Sequence, residues 1–188
     1  MDRREALRSV SLLLGGSVIG GSIFLQTGCK PEKNVNKLFT QSDVDLMGEI
    51  AETILPKTAT PGAKDAAVGA FMSVFVLDCY TDEEQKVFKE GLKKLEDLSK
   101  DKNGTSFIKA TPEQRHSLLV TLDNEQKEYT KTKKKEDPNH YFRMMKEITL
   151  LGFFTSKVGA TEVLRYEAVP GHYDGNFPYK KGDRAWAT

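Results

Sequence analysis

Between Thr40 and Gly152 the apolar residues recur with the period of a helix, in five separate stripes. Met47, Ile50, Ala51, Ile54 and Leu55 fall at i, i+3, i+4, i+7 and i+8, the pattern of one buried helix face. Thr40-Gln41-Ser42-Asp43 precedes this stripe in the order of a capping box, and Pro56 ends it. Thr60-Pro61-Gly62-Ala63 reads as a turn. A second stripe carries Val68, Phe71, Met72, Phe75, Val76 and Cys79. Thr81-Asp82-Glu83-Glu84 is another capping box, ahead of Phe88, Leu92, Leu95 and Leu98, and Asn103-Gly104 breaks that helix. Thr111-Pro112-Glu113-Gln114 sets a cap, a first-turn proline and a reciprocal glutamine before Leu118, Leu119 and Leu122. A fifth helix is expected from near Pro138 through Phe142, Met145, Ile148, Thr149 and Gly152. No alternating β-branched run is long enough for a sheet. The pattern predicts an all-α fold, a compact bundle of about five helices.

Beyond Leu164 glycine and proline are too frequent for a helix. Seven of the 17 aromatic residues lie from Phe153 onward: Phe153, Phe154, Tyr166, Tyr173, Phe177, Tyr179 and Trp186. This is not the composition of a disordered tail. The rings must pack on the bundle or on a partner. Tyr166, Tyr173 and Phe177, with Pro170-Gly171 setting the path between them, are the candidate partner anchors, together with the Thr60-Pro61-Gly62 turn.

The amino-terminal stretch is of another kind. Asp2-Arg3-Arg4-Glu5-Ala6-Leu7-Arg8 leads into a glycine-diluted apolar run that stops at Gly28-Cys29. A charged n-region, a short apolar region and a lone cysteine describe an export signal. The run is shorter than the ~20 apolar residues of a membrane-spanning helix. Arg3 and Arg4 resemble a twin-arginine signal, the route for folded cargo; the bland alternative is plain positive charge. Gly28-Cys29 resembles a lipoprotein cleavage site that leaves Cys29 acylated, against an ordinary signal that ends near a cysteine. Residues 1–28 are thus expected to be the signal, 29–39 a tether and 40–188 a single helical domain, exported and held on the periplasmic side as a lipoprotein.

Charge narrows the partners. Removing Arg3, Arg4, Arg8, Asp2 and Glu5 from the 28 basic and 27 acidic residues leaves 25 of each, so nucleic acid is not the expected partner. The cluster Lys131-Thr132-Lys133-Lys134-Lys135 reads as a solvated loop. Cys79, in apolar company, is expected to be buried. Glu49 and Glu52 read as the solvated face of the first helix. No dinucleotide, P-loop, haem or iron–sulfur pattern occurs. His116, His140 and His172 lack the spacing of metal ligands. No catalytic, cofactor-binding or metal residue is therefore expected, and His172 is the one histidine worth locating.

Glu52-Thr53-Ile54-Leu55-Pro56, Thr60-Pro61-Gly62-Ala63, Gly152-Phe153-Phe154-Thr155-Ser156, Gly159-Ala160-Thr161-Glu162, Tyr166 and Val169-Pro170-Gly171 together resemble the small, third subunit of gluconate 2-dehydrogenase and related membrane-associated sugar dehydrogenases. The resemblance covers roughly residues 40–175. It implies a non-catalytic subunit whose large partner, a glucose–methanol–choline type flavoprotein, holds FAD and oxidises the sugar or sugar acid. A cytochrome commonly carries the electrons onward, so a cytochrome c subunit is a further implied partner. The small subunit of that family supplies the export signal and helps the large one mature. A lipid anchor at Cys29 is not a general property of the family; here it would add a membrane tether. The competing reading is a stand-alone lipoprotein, a helical binding or scaffold module with no redox partner.

Overall fold

Three threonines start three of the five α-helices among the described residues. In a computed structural model that describes residues 34–169 and 171–187, Thr40, Thr81 and Thr111 each accept the backbone N–H three residues on. The side chains of Asp43, Glu84 and Gln114 reach back to the cap N–H in turn. All three predicted capping boxes are formed, and each satisfies donors that the first turn leaves orphaned. They open α1 (Gln41–Ile54), α3 (Asp82–Asn103) and α4 (Pro112–Thr132). α2 (Val68–Cys79) begins after Ala67, and α5 (Tyr141–Thr155) after His140. Arg3, Arg4, Cys29 and Pro170 lie outside the described residues.

The ends are equally local in origin. Gly104 closes α3 at φ 69°, the left-handed region that glycine enters without penalty. Gln85 donates from its amide to the carbonyls of Leu77 and Tyr80 at 3.1 and 2.9 Å, holding the turn from α2 into α3. A short 3-10 turn, Phe107–Lys109, links α3 to α4, with Phe107 buried and its N–H on the Glu96 carboxylate at 3.0 Å.

α5 is the helix around which the others pack. It touches α1, α2, α3 and α4, and it buries Tyr141, Phe142, Met144, Met145, Ile148, Thr149, Gly152 and Phe153. Thr149 is tolerated there because its hydroxyl donates to the Met145 carbonyl at 2.7 Å. Glycines set two of the close approaches. A side-chain carbon at Gly152 would collide with the Phe71 ring, and one at Gly69 would meet the Gly48 and Val44 backbone of α1 at 2.6 Å.

The fold class is the expected one: all-α, with five α-helices among the described residues. Among the described residues the one strand pair is two residues long on each side. One expectation about the helix faces fails here. Cys79 is exposed; it lies on the inward arc of α2, but at the final residue, where the chain turns away at Tyr80 and nothing covers it. The fifth helix starts at Tyr141 because His140 caps it, its Nδ1 accepting the Phe142 N–H at 3.3 Å. Within the basic cluster, Lys131 and Thr132 belong to the last turn of α4, and the lysines that follow form a loop. No helix among the described residues is long and apolar enough to cross a membrane.

Acid should loosen the α4–α5 seam in two stages. Burial lowers the His140 pKa from its ordinary 6.5, against the opposing pull of Glu125. The folded state therefore loses stability as pH falls below about 6.5, where the unfolded chain takes up the proton first. Asp123 accepts from Lys127 and from Lys146 of α5 (2.6 and 2.7 Å), which lowers its pKa to about 2 from 3.8. Asp123→Asn should cost about 1 kcal/mol at neutral pH, after discounting for solvent screening. Urea denaturation should show the gap from wild type closing as pH falls from about 4 to about 2.

Candidate partner interface

The loop between α1 and α2 is folded around a carboxylate. Glu52, in the last turn of α1, accepts the N–H of Lys57 with one oxygen and the N–H of Lys64 with the other, both at 2.8 Å. Pro56 takes the chain out of the helix so that it can turn back over this group. Gly62 lies directly on the carboxylate. A Cβ at that position would clash with Glu52 and would sit 2.6 Å from the Lys57 nitrogen. Asp65 accepts the Gly62 N–H at 2.9 Å and pairs with Lys57 at 3.1 Å. The Gly62 bond, then Lys57, holds the Asp65 carboxyl below its ordinary pKa.

Glu49, one turn earlier, pairs with Lys64 of the loop and with Arg115 of α4. Its side chain is only 14 % exposed. Glu49 and Glu52 are therefore not the solvated face the sequence suggested. They organise the loop, and periodicity could not reveal this because their partners are backbone groups and a distant helix. Thr60 stands exposed at the tip, Pro61 is half-buried and Gly62 is buried.

The second irregular element follows α5. Ser156 accepts the Gly159 N–H at 2.9 Å, at the start of a single π-turn, Gly159–Val163. The chain then forms β1 (Arg165–Tyr166), which pairs in parallel with β2 (Trp186–Ala187). Arg165 N–H donates to Ala185 O at 2.8 Å and Glu167 N–H to Ala187 O at 2.9 Å. Residues 167–185 are thereby closed into a loop at their base. The Arg165 guanidinium lies over the Trp186 ring, 4.4 Å from its centroid, and 5.9 Å from that of Phe177. Phe177 meets Trp186 edge-on at 5.5 Å. Contacts of this kind contribute roughly 0.5–1 kcal/mol each at exposed sites. Arg184 donates to the carbonyls of Glu162 (2.9 Å) and Thr161 (3.4 Å), filling the unsatisfied end of the π-turn.

The rest of the loop presents its rings to solvent. Tyr173 is 94 % exposed, Tyr179 77 %, and Tyr166, Phe177 and Trp186 about half. Gly171 sits at φ 69°, on the approach to Tyr173. His172 is exposed. Of the sequence candidates, Tyr166, Gly171, Tyr173 and Phe177 share this one loop, whereas Thr60, Pro61 and Gly62 belong to the Glu52 loop. No hydrogen bond among the described residues joins the two loops. Phe177 is partly spent on Trp186, so Tyr179 is the freer ring. Its place in the aromatic count was visible in the sequence; the clamping roles of Arg165 and Arg184 had no sequence signal. Among the described residues no group of three or more histidine, cysteine or acidic side chains could hold a metal ion.

A family model described as gluconate 2-dehydrogenase subunit 3 matches residues 41–171. No curated protein and no solved structure matches the chain. The matched span takes in the five helices, the Glu52 loop and the base of the aromatic loop. It ends before Tyr173, Phe177, Tyr179 and Trp186.

Two substitutions test the Glu52 loop. Glu52→Gln turns one acceptor into a donor that faces a backbone N–H, and should cost about 1–3 kcal/mol. Gly62→Ala forces the loop off the carboxylate and should cost about the same. Urea unfolding measures both. Wild-type stability in either variant would mean that the carboxylate does not hold the loop.

Proposed function

The chain belongs to the gluconate 2-dehydrogenase subunit 3 family, and from that premise we propose that it is the non-catalytic small subunit of an exported sugar or sugar-acid dehydrogenase. In this reading the large subunit is a flavoprotein of the glucose–methanol–choline type that holds FAD and performs the oxidation. The small subunit exports it, aids its maturation and attaches it to the membrane. Arg3 and Arg4 direct the folded pair through the twin-arginine route, which suits a partner that must load its flavin before export. Cys29, acylated, holds the complex on the periplasmic side of a membrane, and a cytochrome c subunit is the natural electron acceptor beside it.

The observation that carries the reading is the family match together with a clamped loop that leaves large aromatic rings in water. Solvent-exposed tyrosines on an ordered loop supply contact area at little entropic cost. The loop therefore suits the grip on the large subunit, with Tyr173 and Tyr179 as its leading rings and Tyr166 at its base. The tip of the Glu52 loop, exposed at Thr60 and half-buried at Pro61, is a second contact point on the matched part of the chain. The rings beyond Gly171 fall outside the shared pattern, so they suit recognition of this chain's own partner.

Co-purification of the native protein followed by an absorbance spectrum tests the proposal. A large companion with a flavin spectrum is expected; a protein recovered alone and colourless points to the stand-alone lipoprotein. Truncating central interface rings typically costs ~2–4 kcal/mol of binding each. Tyr173→Ala with Tyr179→Ala should therefore weaken capture of the large subunit at least tenfold, by about 1.4 kcal/mol or more, with unchanged circular dichroism. Unaltered capture would remove the loop from the interface. Arg3→Lys with Arg4→Lys should retain both subunits in the cytoplasm; normal export would reduce the two arginines to plain charge.

A further inference from the structure

The described chain begins in a hook that two helices hold in place. Asn34 bridges Thr40, and the N–H groups of Val35 and Asn36 donate to the Phe39 carbonyl at 3.0 and 3.3 Å. The Asn36 side chain accepts from Leu38 and Phe39, each at 2.8 Å, and donates to Ser73 O of α2 at 3.0 Å. Lys89 of α3 donates to Leu38 O at 2.9 Å. Phe39 is buried and meets Phe88 edge-on at 6.0 Å. The point at which the chain reaches the bundle is therefore defined by its own packing.

We propose that the surface around this hook, formed by Val35, Lys37, Val74, Lys86, Lys89 and Lys93, lies against an anionic lipid bilayer. The inference rests on the reading above that Cys29 is acylated. Its first support is length. Cys29 to Asn34 is five peptide steps, at most about 18 Å when extended. A folded chain of this size has a radius of gyration of about 15 Å, and so is about 40 Å across. A tether that short cannot carry the anchor round to the opposite side. The acyl chains enter the bilayer beside the hook, and the hook's surroundings face the headgroups.

The second support is chemistry. Lys86, Lys89 and Lys93 recur at i, i+3 and i+7 on one exposed face of α3, and Lys37 is exposed on the hook itself. None of these four pairs with a carboxylate among the described residues. Lys57, Lys64, Lys100, Lys127, Lys131 and Lys146 do pair, and Lys94, Lys102 and Lys109 resemble the four in pairing with none, so it is the clustering beside the hook that marks this face. Glu90 interrupts the row, and Asp43, Glu96 and Asp97 line the adjoining groove, so the field is positive but modest. Val35 and Val74 stand 46 % and 54 % exposed. The ammonium groups of Lys37, Lys86 and Lys93, with Lys89 held on the Leu38 carbonyl, lie beside small apolar side chains. This suits a headgroup layer, where a lysine stem can lie on the surface while its charge meets lipid phosphate.

The test uses the full exported chain in vesicles of phosphatidylglycerol and phosphatidylethanolamine containing a headgroup-nitroxide lipid. Cys79→Ser removes the free thiol, and single cysteines carry a fluorophore at Val35→Cys, Val74→Cys or Lys102→Cys. Lys102 lies thirteen residues beyond Lys89 on the same helix, about 20 Å further along it. Probes at 35 and 74 should lose most of their fluorescence to the nitroxide, and the probe at 102 should keep it. Reversing Lys37, Lys86 and Lys93 to glutamate should lessen the quenching at 35 and 74. Equal quenching at all three positions, or quenching only at 102, would overturn the proposed face while leaving the anchor intact. Shielding at 35 and 74 without quenching would assign this face to a protein and also overturn it. An intact mass without acyl chains would overturn the anchor, and the proposal with it.

Discussion

The contact of α5 with all four of the other α-helices among the described residues is the constraint on which the bundle depends. The inward side chains of α5 must be sized to each neighbour, while an outer strip carries Lys146 and Arg143, the latter paired with Glu147 at 2.7 Å. Gly152 admits Phe71, and a Cβ on Gly91 of α3 would collide with the Tyr141 ring. Burial pushes the Tyr141 hydroxyl up to about 12, so it stays neutral through the physiological range. Each end of the helix is fixed by a polar side chain. His140 caps one end, and Ser156 passes the chain into the π-turn at the other. The aromatic loop therefore follows directly on the helix that contacts all four others.

The Glu52 loop shows how a short polar motif can be structural and still look functional. Glu52, Pro56 and Gly62 all lie in the segments whose resemblance to the family was readable. Each has a physical reason to be there: an acceptor for two amides, a stop for the helix, and a residue without a side chain over the carboxylate. The part of this segment with no such structural task is its tip, Thr60 and Pro61. The family pattern here records how the loop is built as much as what the loop meets.

Helix starts were the most legible feature of the sequence, because a capping box is a local device: Thr40, Thr81 and Thr111 need only the residue three positions on. Core positions such as Met47, Met72, Leu95 and Ile148 were legible through periodicity. Cys79 was misread because periodicity gives an angle round the helix and says nothing about where coverage ends. Glu49 and Glu52 were misread because a charged residue on a helix looks solvated until its tertiary partner is known. The aromatic loop was legible as composition only. Its closure depends on Arg165 meeting Trp186, a contact between residues far apart in the sequence and set by parallel pairing.

The two-residue strand pair at the base of that loop has a consequence for the order in which the protein opens. Amide protection follows the cheapest opening that exposes each N–H. The Arg165 and Glu167 amides are guarded only by the short pair, the Arg184 contacts and one aromatic cluster. Those of Met145 and Ile148 sit in the middle of a helix whose release needs the whole core to part. Exchange in heavy water should therefore divide the chain in two, with residues 165–187 labelling as one early unit while the bundle stays dark. A ligand that touched only the loop would slow the first unit and leave the second unchanged.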